Sequence, residues 1–133
     1  MTNYLSPKAT TQINNISVLG LAHIGDAVYE LMVRTWLCDE GTSKAKNLHN
    51  KAITFVSAKA QAIAAEKIKP VLTEEEAGMF KRGRNSHVNT TPKASTIEEY
   101  HLATGLEALF GYLYLTDNIG RLNELFDIII KES

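Results

Sequence analysis

Residues 18–37 read VLGLAHIGDAVYELMVRTWL, and the spacing of the apolar residues in this stretch decides the fold. Leu21, Ile24, Ala27, Val28, Leu31, Met32 and Trp36 recur with the period of one helix face and not with the alternation of a strand. Gly25 interrupts the helix at a cost in propensity, which predicts the close approach of another backbone or a ligand at that point. Asp26 follows immediately, a carboxylate among small and apolar neighbours.

The same reading extends in both directions. Residues 1–17 are mixed and polar, with room for at most one short helix after Ser6-Pro7. Gly41 is placed to cap the first long helix, with Thr42 or Ser43 opening the next. Lys44 to Ile68 is alanine-rich and helix-prone, either one helix or two joined between His49 and Ala52, and Pro70 ends it. Thr73 and Glu76 form a capping box for a short helix running towards Arg82. The string GRNSHVNTTPKA, residues 83–94, lacks a periodic core and reads as a loop. Ser95 to Glu98 repeats the capping-box pattern before the most apolar helix, which runs through Leu102, Leu106, Leu109, Phe110, Leu113 and Leu115. Asp117 or Asn118 starts a last helix with Leu122, Leu125, Phe126 and Ile129 on one face. With no alternating segment and no internal repeat, the expected architecture is all-α: six or seven helices in a single domain spanning residues 1–133.

Composition sets the outer bounds. A chain of 133 residues can bury roughly two thirds of its unfolded surface, so it needs no disulfide or structural metal to fold. Its one cysteine, Cys38, excludes an internal disulfide framework and, beside an apolar run, is expected to be buried. There is no apolar run long enough to cross a membrane and no basic-then-apolar leader, so a cytoplasmic setting without a membrane partner is expected. The formal charge of −1 hides a partition. Residues 44–93 carry ten Lys and Arg against four Glu, whereas residues 94–133 carry two against seven acids. A basic middle between acidic ends suits a polyanion-binding surface, and equally suits ordinary solvated helices.

Two carboxylates stand apart from the rest. Asp26 and Glu107 each lie one or two residues after a glycine and just before an alanine. Small residues let helices approach, so these acids could converge on one hard cation such as Mg2+, which takes oxygen ligands and keeps several waters. Such an ion activates water and offsets charge on a phosphoryl group. Two helix-surface carboxylates remain the alternative, and Glu30, one turn from Asp26, could share its face. His23 and His49 lack zinc-ligand spacing, and no phosphate loop or nucleophile elbow is present. Lys81, Arg82, Arg84, Asn85, His87 and Lys93 place cations and hydrogen-bond donors around the loop, which reads either as a phosphate-backbone clamp or as a solvated surface. Lys44, Lys46, Lys51 and Lys59 could extend the footprint.

Taken together, Ile24-Gly25-Asp26-Ala27-Val28 and Leu106-Glu107-Ala108-Leu109-Phe110-Gly111 resemble the two signature helices of the ribonuclease III endonuclease domain. The segment from Leu48 to Ala65 and Asp117 fit the same family. Lys81-Arg82-Gly83-Arg84-Asn85 and Thr90-Thr91-Pro92-Lys93 are similar to its short Mini-III branch. The resemblance implies a Mg2+-dependent endonuclease, with Mn2+ as a substitute, that cleaves double-stranded RNA to 5' phosphate and 3' hydroxyl ends. It also implies a homodimer that matures the ends of the 23S ribosomal RNA precursor, with a ribosomal protein or pre-ribosomal particle as a further partner. Asp26 and Glu107 match the acidic core of the site. Leu21, Ile24, Val28 and Met32 match the first signature region, used at the two-fold interface. Larger members carry further acids where this chain has Leu19, Ala22 and Thr104, which keeps a non-catalytic RNA-binding or ribosome-assembly homodimer as the alternative. No separate double-stranded-RNA-binding domain is expected, so RNA affinity falls to the catalytic domain and its basic middle.

Overall fold

A computed structural model describes residues 4–5, 13–41, 45–86 and 96–131, the side chains of residues 45 and 46 excepted. Six α-helices follow in order: α1 (Val18–Asp39), α2 (Ala45–Val56), α3 (Ala58–Ile68), α4 (Glu74–Arg84), α5 (Ile97–Leu115) and α6 (Ile119–Ile130). A 3-10 turn, Lys69–Val71, joins α3 to α4 and carries Pro70. No strand occurs among the described residues, and no helix there is long and apolar enough to cross a membrane.

The centre of the domain is α5. Leu102 to Leu106 and Ala108 to Gly111 are all buried, so apolar contact covers nearly the whole circumference of this helix. It packs against α1, α3, α4 and α6. The buried row of α1 is Leu21, Gly25, Tyr29, Val33 and Leu37 at i+4 spacing, its first three residues meeting α5, and Ile24, Val28 and Met32, one residue away, are half-buried at its flank. Leu31, expected on the apolar face, is 65% exposed. Cys38 is exposed, not buried, because Leu37 takes the inward position and the next residue is rotated by about 100°.

Helix ends follow local chemistry. Gly41 has φ 86°, as a chain reversal after α1 requires. The alanine-rich segment is two helices, and they break at Ser57, not between His49 and Ala52. The Ser57 side chain accepts from the Ala60 N–H and restarts the helix. Thr73 and Glu76 close their capping box as expected, whereas the second box is Thr96 with Glu99, one residue later than the Ser95–Glu98 pairing. Glu76 is buried, and Arg121 of α6 meets both its oxygens at 2.9 Å while also donating to the Val71 carbonyl, tying α4, the 3-10 turn and α6 together.

The expected loop starts later than Gly83. Helix α4 runs through Arg84, because Gly83 is its contact with α5: a Cβ there would lie 2.6 Å from the Ala108 Cβ and 3.0 Å from the Gly105 Cα. Lack of an apolar side chain at that position hides a packing residue.

Candidate active site

Asp26 and Glu107 come together because two helices touch backbone to backbone. A Cβ on Gly25 would overlap the Glu107 carbonyl oxygen and lie 2.7 Å from the Gly111 nitrogen. A Cβ on Gly111 would overlap the Leu21 carbonyl oxygen and lie 3.0 Å from the Gly25 nitrogen. Only glycine permits this crossing, and it sets the residue after Gly25 beside the residue whose carbonyl Gly25 meets. Asp26 is at the exposed rim, Glu107 half-buried beneath it.

The electrostatics follow from that apposition. The Glu107 carboxyl is pushed up to about 8, first by burial and then by the nearby Asp26 charge and a hydrogen bond with Asp26, while the Gln61 amide opposes the rise. Two carboxylates this close favour a shared proton or a shared cation. Their donor set, two carboxylate groups with no nitrogen or sulfur, fits a hard ion that completes its shell with water. Among the described residues no group of three or more His, Cys, Asp or Glu gathers as a metal site, so this pair is a minimal one.

Leu19, Ala22 and Thr104 bring no further carboxylate to the pair. Ala22 is buried, and Thr104 is buried with its hydroxyl donating to the Tyr100 carbonyl at 2.9 Å. Leu19 is 42% exposed and offers no oxygen. Glu30 turns to Arg34, 2.9 Å away, one turn further along α1.

The basic cluster is partly described. Lys81, Arg82 and Arg84 are exposed on the last turn of α4, where cations complement the helix dipole, and Asn85 is its C-cap. Among the described residues none of these three cations forms an ion pair. The Gly83 contact with Thr104, Gly105 and Ala108 sets this turn against the same stretch of α5 that carries Glu107. His87 and Lys93 lie outside the described residues, as does Lys44. Of the four residues expected at a two-fold interface, Leu21 is only 3% exposed and fills the chain's own core, and Ile24, Val28 and Met32 are half-buried.

Sequence reading passed over Gln61. It is 2% exposed on α3, and its amide favours the charged form of Glu107. Its signal was available: a lone amide on the inward face otherwise built from Ala62, Ala65 and Ile68.

The model of the Ribonuclease III domain matches residues 19–118, a span that takes in both crossing helices and both carboxylates. The chain belongs to this family of endoribonucleases. Its relatives narrow the assignment to the Mini-ribonuclease 3 branch. Mini-ribonuclease 3 of Clostridium tetani is 42% identical over 130 residues, covering 96% of this chain and 86% of that one. Its counterpart in Enterococcus faecalis is 46% identical over 116 residues, covering 86% and 88%. A protein of Fusobacterium nucleatum known from its crystal structure is 34% identical with a TM-score of 0.81, covering 90% of this chain and 95% of that one.

Proposed function

We propose that this chain is a Mg2+-dependent endoribonuclease that cleaves double-stranded RNA as a homodimer in the cytoplasm and trims both ends of the 23S ribosomal RNA precursor. The apposition of Asp26 and Glu107 through the Gly25–Gly111 crossing is the observation that carries the reading. A non-catalytic RNA-binding dimer has no use for two apposed carboxylates, which repel a phosphate backbone unless a cation lies between.

In this reading Asp26 and Glu107 hold the cation, with Mn2+ able to replace Mg2+. An ion held by this pair would supply acidified water and offset charge on the scissile phosphate. Glu107 would give up its proton on taking the cation, and Asp26, at the rim, would face the incoming phosphodiester. Water adds to phosphorus as the bond to the ribose 3' oxygen breaks, leaving a 5' phosphate and a 3' hydroxyl. The exposed cations at the end of α4 hold neighbouring backbone phosphates.

The test is cleavage of a structured ribosomal precursor by purified Asp26→Ala and Glu107→Ala proteins in Mg2+. Each variant should keep its helical spectrum and lose turnover by on the order of 100-fold or more, the scale of several kcal/mol of transition-state stabilisation. Near-normal turnover by either removes that residue from the site.

A further inference from the structure

The described core contains three buried polar side chains, Gln61, Glu76 and Thr104. Glu76 is explained by its capping box and Arg121, and Thr104 by its bond to Tyr100. Gln61 is not explained by the fold. Its Nε2 donates to the Val56 carbonyl at 3.0 Å, but its buried Oε1 has no partner, the one such side-chain atom among the described residues. An orphaned amide oxygen costs stability, and a methionine or leucine would fill the same space without it.

The location of Gln61 supplies the reason. Val56 ends α2 and Ser57 caps α3, so the bond to the Val56 carbonyl anchors the amide at the rigid junction between these helices. Helix α3 packs against α5, and the Gln61 amide is near enough to the Glu107 carboxyl to favour its charged form. Asp26 of α1 and Gln61 of α3 are thus the two polar side chains that act on Glu107. We infer that Gln61 is a positioning residue for the active site: a buried amide, tethered to Val56, that fixes the orientation of the Glu107 carboxylate towards Asp26. The inference rests on the proposed assignment of Glu107 to the catalytic pair. Partners of this kind, one step removed from the ligand, commonly change affinity or rate by about 10- to 100-fold.

Gln61→Met and Gln61→Leu keep bulk and remove the amide. Both should unfold close to the parent temperature, because losing the bond to the Val56 carbonyl is offset by removing the orphaned oxygen. In each, turnover at saturating double-stranded RNA should fall by about 10- to 100-fold with KM for RNA little changed, and more Mg2+ should be needed for half-maximal rate. Independently of activity, the rise in unfolding temperature produced by added Mg2+ should shrink. Unchanged turnover and an unchanged Mg2+ response overturn the inference, as does a loss of turnover that merely tracks a lowered unfolding temperature in both variants. Glu107→Gln is run beside them. If it cleaves normally, the site assignment itself has failed; if it is inactive while the Gln61 variants behave like the parent, only the positioning role has failed.

Discussion

Gly25 has no room for a side chain because the carbonyl oxygen of Glu107 occupies the place its Cβ would take. One contact thus fixes both the helix crossing and the catalytic geometry. Adding a methyl group at that point must push α1 from α5, moving Asp26 and Glu107 apart together.

Gly25→Ala and Gly111→Ala should therefore each lower unfolding stability by about 3 kcal/mol or more, at the upper end of overpacking costs. Gly78 on α4 has nothing within 4 Å of its would-be Cβ and no positive φ. Gly78→Ala should be neutral or stabilising by up to about 1 kcal/mol, since it removes a helical glycine. Urea unfolding of the three variants makes the comparison, and equal effects at all three positions would contradict the backbone contact.

Metal-free protein should lose stability as pH rises. The Glu107 carboxyl titrates near 4.5 when unfolded and is pushed up to about 8 in the fold, so the native state holds an extra proton between these values. Its contribution is complete below about 4.5 and is lost as pH climbs through about 8. Glu76 works the other way: Arg121 lowers its pKa, so its contribution is present above the ordinary carboxylate range and is lost on acidification. Urea midpoints in chelator should fall from pH 5 to pH 8, and Glu107→Gln should flatten that slope; a parent midpoint that rises across this range would contradict the apposition.

How much of this was legible in the sequence depended on whether a residue's role showed in its own side chain. The capping box at Thr73, the helix stop at Pro70 and the inward row of α6 are local signals, and they read correctly. The Asp26 and Glu107 motifs were visible as carboxylates flanked by small residues, and Gly25 as a close approach. What could not be read was which face of an almost wholly apolar helix turned inward. The α1 row is set by Gly25 and Tyr29, not by the aliphatic count, so Leu31 is outside and Cys38 is exposed. Gly83 looked like a loop residue because its function is to be absent: it lets α4 lie on α5. Gln61 escaped because its partners, Val56 and Glu107, meet it only once α3 has turned at Ser57.

Assembly is tested directly. Leu21 is committed to the core, so a two-fold interface on α1 has to be built from Ile24, Val28 and Met32, whose exposure is partial, together with the exposed Leu31 nearby. An isologous contact would set two sites across one duplex. Sedimentation at micromolar protein should give about twice 14.7 kDa. A monomer that cuts both strands with full activity would remove this arrangement.

Binding and chemistry should separate at the end of α4. Arg82 and Arg84 are exposed on its last turn, lack an ion pair among the described residues, and ride on the Gly83 contact that sets this turn against α5. Their charge is partly accounted for by the helix dipole, which attracts cations there whether or not RNA binds. Salt dependence distinguishes the two roles, because each phosphate contact releases counterions and contributes close to one unit to the slope of log affinity against log salt. The Arg82→Gln, Arg84→Gln double variant should bind double-stranded RNA more weakly and lose up to about two units of slope. Single-turnover cleavage at saturating RNA should fall far less, since Asp26 and Glu107 are untouched. Binding is measured across a salt series in Ca2+, which takes the same oxygen ligands at longer distances, and cleavage in Mg2+. Unchanged affinity and slope would show that these arginines serve only the helix end and turn attention to Lys51 and Lys59, both exposed on α2 and α3.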